Sequence, residues 1–290
     1  MSVLPSKSGT QTRLVGRLSK NRTALAGLVV VLFLVLVAVF APALAPHDPY
    51  EQNLDKALLP LSPEYPFGTD DLGRCVLSRI IFGTRISLRV GLLVTALTAF
   101  LGVGLGLVAG YYGGLADEII MRLVDVLLAF PGLVLALAFV GLLGPGLFNV
   151  MLALALVGWT SYARLVRGAV LAVKAREFVE SARAVGANDL HILYRHIVPN
   201  ISAPVIVLAT LDIGRVILTA ASLSFLGLGA QPPVADWGAM LNSGKAFIRS
   251  APHLTVFPGL AIMIAVMAFN FLGDGLRDVL DPWQKARELA

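Results

Sequence analysis

Charge, cysteine and histidine are all scarce in this chain. Only 14% of its 290 residues are Asp, Glu, Lys or Arg, where a soluble domain carries about 25%. Too little polar surface exists to clothe a water-soluble globule, which excludes a large soluble enzyme. A single cysteine, Cys75, rules out an internal disulfide and a cysteine metal cluster. The four histidines are scattered and none lies in an apolar run. No H-E-x-x-H occurs, which argues against an intramembrane metalloprotease. No G-x-x-x-x-G-K-[ST] occurs either, so the chain lacks that loop for cradling nucleotide phosphates.

What the chain has is apolar length. Hydrophobic residues make up 57% of it, and mean hydropathy is +0.81. A helix needs about 20 apolar residues to cross roughly 30 Å of hydrocarbon. Six segments qualify, near Thr23–Ala45, Leu88–Gly110, Ile119–Leu143, Leu147–Tyr162, Ile201–Leu226 and Leu254–Leu272. The fourth is short. The first has a basic run before it and "ALA" at its end, as a signal peptide would. Its apolar stretch exceeds the 7–15 residues of a signal core, and Pro46 follows the would-be cleavage site, so a retained anchor is the better reading. The expected fold is therefore an all-α polytopic membrane protein with six transmembrane helices in the lipid bilayer.

The formal net charge of +5 speaks to orientation here and not to nucleic acid. Lys7, Arg13, Arg17, Lys20 and Arg22 precede the first span and put the N-terminus in the cytoplasm. Arg164, Arg167, Lys174, Arg176, Arg183 and Arg195 fall between spans four and five, on the same side, and Arg277, Lys285 and Arg287 follow span six. Arg74, Arg79, Arg85 and Arg89 strain the rule, because they fall outside with only Asp70 and Asp71 to offset them. The resulting organisation is a cytoplasmic tail (1–22), a first transmembrane helix (23–45), an external loop (46–87), a five-helix core (88–276) and a cytoplasmic tail (277–290).

The core is interrupted by "EFVESARAVGANDLHILYRHIVPN", within a polar segment spanning 174–199. On a helical wheel Phe178, Val179, Ala182 and Val185 share one face and Glu177, Glu180, Ser181 and Ala184 the other. Gly186 stands where a left-handed residue closes a helix. Asn188 or Asp189 can cap a second helix, in which Leu190, Leu193, Tyr194 and Ile197 recur at i, i+3, i+4 and i+7. Pro199 marks the turn into span five. An apolar face on a polar, membrane-flanking knob packs on its own spans or enters a groove on a partner. A bent loop lying on the bilayer surface is the other reading of the pattern. Such a surface helix is normally richer in Lys and Arg.

This segment resembles the EAA motif of inner-membrane subunits of binding-protein-dependent ABC importers. The matching residues are Glu180-Ser181-Ala182, then Gly186, then His196-Ile197-Val198-Pro199, with Ser181 for the middle Ala and His196 for an Ile. "FGTDDLGRCVLSRIIFGTRISL", "SFLGLGAQPPVADWGAML" and "FNFLGDGLRDVLDP" resemble the peptide/nickel branch, in its dipeptide-permease C type; the likeness covers essentially residues 20 to 283. Cys75 departs from it, standing where that family has Asp, and gives an outside-facing thiol instead. The resemblance implies a pore subunit that hydrolyses nothing and binds no cofactor. ATP and Mg would be held by two cytoplasmic ATPase subunits, a second homologous permease would complete the pore, and a periplasmic or lipid-anchored binding protein would deliver substrate. Glu177, Glu180, Ser181, Ala182, Arg183 and Gly186 would then form a cytoplasmic coupling helix against the ATPases. Among substrates of such relatives, di- or oligopeptides come first, and nickel, glutathione or opines are alternatives. With no histidine placed in the core to pass a metal, peptides are favoured.

Intramembrane charges are functional candidates by default. Arg122 and Asp125 lie three apart near one end of span three, where snorkelling or a mutual ion pair explains them, and Asp212 and Arg215 lie three apart near the middle of span five. The second pair either fixes packing or lines a path for a zwitterionic substrate. Pro131 is expected to kink span three. Gly102, Gly106 and Gly110 form a small-residue stripe for close helix contact. "GLGLVA" within it also fits a dinucleotide fingerprint, but that site needs a strand, a turn and a solvated helix end. Outside, Pro232 and Pro233 forbid helix, while Asp236 and Trp237 are candidates for contact with a binding protein or, for the tryptophan, an interfacial anchor. A stand-alone carrier would show inverted repeats, yet the EAA-like segment appears once. If Gly186 sets the bend in the knob, Gly186→Val abolishes ATP-driven uptake while membrane insertion stays intact, because φ > 0 is costly for a β-branched residue; normal uptake by that variant in vesicles would put the bend elsewhere.

Overall fold

A computed structural model describes residues 21–280. The charges at Lys7, Arg13, Arg17, Lys20, Lys285 and Arg287 lie outside the described residues. Within them the chain is built from helices: α1 (Arg22–Val39), α2 (Ala41–Leu44), α3 (Val76–Tyr112), α4 (Gly114–Leu128), α5 (Gly132–Leu143), α6 (Leu147–Lys174), α7 (Glu177–Ala184), α8 (Asp189–Ile192), α9 (Val198–Phe225), α10 (Trp237–Gly244) and α11 (His253–Leu280). A five-residue π-helical turn, Leu193–Ile197, joins α8 to α9. Among the described residues, five helical stretches are long and apolar enough to cross a membrane, or six if α4 and α5 count as one broken span.

Several boundaries differ from the sequence reading, each for a local reason. α1 stops at Val39, where Phe40 leaves helical geometry and Pro42 starts the short α2. α3 starts at Val76, twelve residues before Leu88, and its 37 residues extend about 55 Å at about 1.5 Å per residue. Its first turns are polar because they are buried in protein. Arg79 is buried, donating from Nη1 to the Pro49 carbonyl at 3.0 Å. Asp70 accepts from Arg74 Nε at 2.7 Å and lies 3.6 Å from Arg79 Nε. Two of the four arginines that strained the charge rule are thus neutralised within the protein. Cys75 is buried at the start of α3, so it is not the outside-facing thiol expected. α6 likewise runs twelve residues past Tyr162, its added turns held by Arg164 and Arg167 against α4 and by Lys174 donating to the Tyr111 carbonyl.

Span three is broken rather than kinked. α4 and α5 meet at 92°, and Pro131 occupies the N-cap position of α5. Proline has no N–H to continue the α4 ladder and disfavours helical geometry in the residue before it.

Among the described residues the most extensive helix contact is α3 on α6. A Cβ added at Gly102 would sit 2.4 Å from the Trp159 carbonyl oxygen, at Gly106 2.7 Å from the Ala163 carbonyl oxygen, and at Gly110 2.8 Å from Val170 Cβ. The stripe therefore lets two backbones touch, which is how helices gain van der Waals contact in lipid, where no hydrophobic force joins them. α1 packs the same way along α11, with Ala24 against Gly275 and Gly27 against the Leu272 backbone. Asn21 caps α1 and reaches Asp278 at 3.1 Å.

Gly104, on the opposite face of α3, has nothing within 4 Å of an added Cβ. Gly106→Ala is therefore expected to cost about 1–3 kcal/mol through overpacking, while Gly104→Ala is neutral or gains up to about 1 kcal/mol from restricted backbone freedom. Thermal denaturation of the two variants in detergent, followed by circular dichroism, measures the difference.

Candidate functional site

The polar segment after α6 folds as a helix–glycine–helix knob. α7 ends in a complete left-handed cap. Gly186 has φ +86°, its N–H donates to Arg183 O at 3.0 Å, and Ala187 N–H donates to Ala182 O at 3.1 Å. This paired arrangement is the Schellman motif, in which glycine meets no Cβ penalty. Asn188 Oδ1 then accepts from the His191 N–H at 2.8 Å and caps α8. Asp189 does not cap; its Oδ1 accepts from the Tyr111 hydroxyl at 2.6 Å and ties the knob to the end of α3.

The expected apolar faces are each divided. Val179, Ile192 and Ile197 are fully buried against Tyr111, Val166, Val170 and Ile201, with Ala182 and Leu193 partly covered. Phe178, Leu190, Val185 (85% exposed) and Tyr194 (75% exposed) face away from the chain. The cause in the second half is the π turn, which adds a residue to the hydrogen-bonded ring and so breaks the 3.6-residue register assumed for Leu190, Leu193, Tyr194 and Ile197. Glu177, Glu180, Ser181, Arg183 and Gly186 are exposed and Ala182 is half-buried.

Deeper in the bundle, a cavity of about 310 Å³ is bounded by α3, α6, α9 and the α4–α5 break. Asp212 and Arg215 both line it. Asp212 is buried; its Oδ1 accepts from Arg215 Nε at 2.8 Å and its Oδ2 from the Tyr162 hydroxyl at 3.1 Å. The Arg215 side chain is 56% exposed. Tyr162 was not singled out from the sequence, since a tyrosine closing an apolar run carries no signal of a buried partner fifty residues away.

Arg122 and Asp125 are elsewhere and do not pair with each other. Asp125 accepts from Arg164 Nη2 on α6 at 2.5 Å. Arg122 lies on the outer face of α4, in a shallow depression with Glu118 and Leu123. Both are exposed and neither lines the cavity of Asp212. Residues three apart on a helix share a face, but a partner on the neighbouring helix claims Asp125.

Asp236 and Trp237 are also placed differently. Asp236 caps α10, accepting from the Ala239 N–H at 3.0 Å. Burial pushes its carboxyl up from the ordinary carboxylate range, opposed by the Ala239 amide. Trp237 is 1% exposed and donates from Nε1 to the Ile80 carbonyl at 3.1 Å, over Gly83. Asp236 caps α10 and Trp237 holds its start on α3; both are buried and not on the surface of the chain for a partner or a membrane interface. Pro232 and Pro233, joined by a cis bond, lie outside any helix.

Long apolar helices around a mainly apolar cavity that holds one ion pair, with a helical knob carrying exposed apolar side chains, are the architecture of a polytopic membrane transport subunit. The chain belongs to the family of binding-protein-dependent transport system inner membrane components, whose sequence model matches residues 102–286. Residues 10–62 match the N-terminal TM domain of oligopeptide transport permease C. It is thus a permease subunit of an ABC importer. The dipeptide transport system permease protein DppC of Alkalihalophilus pseudofirmus is 46% identical over 93% of this chain and 89% of its own length. The glutathione transport system permease protein GsiD of Pectobacterium atrosepticum is 48% identical over 93% of this chain and 90% of its own. Among solved structures, an inward-facing form of the MetNI methionine ABC transporter covers 70% of this chain and 97% of its own, with a TM-score of 0.57 at 18% identity, and so shares the fold.

The Asp212–Arg215 pair is asymmetric, because only the carboxylate is fully buried. Arg215→Gln strands that charge and is expected to cost about 1–3 kcal/mol or more. Asp212→Asn leaves a neutral amide beside an arginine that can be solvated, and should cost less. The double variant should recover much of the loss. Melting temperatures of the three in detergent check this order.

Proposed function

We propose that this permease imports di- or oligopeptides, and that its 174–199 segment is the cytoplasmic coupling element through which ATPase subunits act. The observation that carries this is the outward apolar set of the knob. Phe178, Val185, Leu190 and Tyr194 are exposed while Val179, Ile192 and Ile197 anchor the same segment to α6 and α9. A segment fixed from one side and apolar on the other suits a groove on a second protein, into which an amphipathic helix lays its apolar residues. Glu177, Glu180, Ser181 and Arg183 ring those residues with polar groups. The knob then lies in the cytoplasm, as do both termini. The pore is completed by a second homologous permease, two cytoplasmic ATPases bind and hydrolyse ATP with Mg, and a periplasmic or lipid-anchored binding protein delivers the substrate.

The peptide assignment rests on relatives that are dipeptide and glutathione permeases. Glutathione, itself a small peptide, is the second reading, favoured by the similarity to GsiD. The path candidates are Asp212 and Arg215; Arg122 and Asp125, which face away from the cavity, are not retained.

Charge placed on the outward face tests the docking. Val185→Asp and Tyr194→Asp should leave insertion and melting unchanged, since both sites are exposed. Each should weaken ATPase attachment by about 2 kcal/mol or more, as for a central interface residue. The measurement is recovery of the ATPases with the tagged permease in mild detergent. Undiminished recovery with both variants would place the contact elsewhere on the chain.

A further inference from the structure

The cavity at the α4–α5 break has a chemistry of its own. Arg215 is the eighteenth of the 28 residues of α9 and lies about 15 Å from its Phe225 end, at about 1.5 Å per residue. That is near the middle of a hydrocarbon layer of about 30 Å. A guanidinium there, more than half exposed in this chain, needs water, a ligand or the neighbouring permease around it. Its one carboxylate neighbour engages a single edge: Arg215 Nε and Nη2 both reach Asp212 Oδ1, at 2.8 and 2.6 Å. The rest of its donors remain for the cavity.

The acid cannot do the converse. Among the described residues Asp212 is the sole acidic one lining the cavity; its side chain is 1% exposed, with Oδ1 accepting from Arg215 and Oδ2 from the Tyr162 hydroxyl, so it is closed to a further partner. No free carboxylate is left there to receive an ammonium group. The start of α5 adds to the same polarity. Gly132 and Leu133, the first residues of the twelve-residue α5, line the cavity, and no side chain caps that helix. Uncapped N–H groups at a helix start favour an anion.

We propose that this cavity is a transient subsite for the C-terminal carboxylate of the transported peptide. Arg215 binds the carboxylate, the α5 start assists, and Asp212 with Tyr162 are positioning residues that fix the guanidinium. The subsite recognises the acid end of the substrate and is indifferent to its amino end. This rests on the reading of the chain as a peptide importer. A half-exposed guanidinium offers charge-assisted bonds to a carboxylate that has left water, and such bonds are the stronger kind.

The test uses the assembled transporter without its binding protein, titrated calorimetrically with dialanine, N-acetyl-dialanine and dialanine C-terminal amide. The expected result for the native sequence is tighter binding of the two acids than of the amide, by about tenfold or more, about 1.4 kcal/mol at least. N-acetylation should change little. The double variant Asp212→Asn/Arg215→Gln, which strands no buried charge, should bind all three alike, and Arg215→Lys should keep part of the preference. Equal binding of acid and amide by the native assembly, no binding of dialanine, or an unchanged preference in the double variant each overturns the subsite. Loss of the second permease from the double variant also overturns it, by making Arg215 an interface group. ATP-driven uptake of dialanine by the native assembly with its binding protein is measured alongside. Uptake without the acid preference sinks the subsite alone, whereas no uptake of any short peptide sinks the functional reading beneath it.

Discussion

The close approach of α3 to α6 organises the rest of the molecule. Gly102, Gly106 and Gly110 bring the two backbones into contact along the shared length of both helices. Lipid offers no hydrophobic reward for joining apolar helices, so the gain comes from dense van der Waals contact, and only small residues permit it. Everything of functional interest is attached to this pair. Trp159 and Tyr162 on α6 abut the stripe at Gly102, and Tyr162 continues from there to Asp212. The end of α6 leads within two residues into α7. Tyr111, at the end of α3, reaches back to Asp189 in the knob.

Charge in this protein is handled by partnership at every depth. Arg74 and Arg79 share Asp70, Arg167 meets Asp117, Arg164 meets Asp125, and Arg215 meets Asp212. A charge leaving water needs an opposite charge and hydrogen bonds to offset its desolvation. The pairs differ in how much of each partner stays exposed, and that difference separates structure from chemistry. Arg79 is closed in by protein and can only hold the fold. Arg215 is open on one side to a cavity, so its charge is still available to a solute.

The sequence carried the gross architecture and the family, and lost the details decided by tertiary partners. The helix count follows from apolar length, and the bend at Gly186 follows from the one residue type that accepts φ > 0 without cost. The glycine stripe is a spacing pattern, readable because its cause is local. The early start of α3 and the late end of α6 were not readable. Their polar turns look like loop until Asp70, Asp117 and Asp125 arrive from elsewhere in the chain. Asp236 and Trp237 look like surface groups in a proline-rich connection, and only the three-dimensional neighbours Ala239, Ile80 and Gly83 show that they are buried. The register slip in the knob comes from a π turn, which has no simple sequence mark. Tyr162 and Asp212 are fifty residues apart, and no local rule joins them.

On the proposed reading, these features set how motion at the knob could reach the cavity. Val179, Ile192 and Ile197 bury themselves against Val166 and Val170 of α6. A displacement of the knob therefore acts on α6 directly, through packed side chains rather than through a flexible tether. Tyr162 lies one to two turns from Val166 on that helix, and its hydroxyl holds the carboxylate that orients Arg215. α3 must move with α6, because backbones in contact cannot slide without a clash at each glycine. α4 is bound to α6 by ion pairs, one of them more than half exposed on both partners, which water can exchange. α5 meets α4 only at the break before Gly132. α5 packs Ala136 and Val140 against Val150 and Ala153 of α6, so it too follows that helix, and its start lines the cavity that holds Arg215. The same break that removes a continuous helix from the membrane leaves uncapped N–H groups at the cavity, so a movement of α6 carried to α5 would shift the groups proposed to hold the anion.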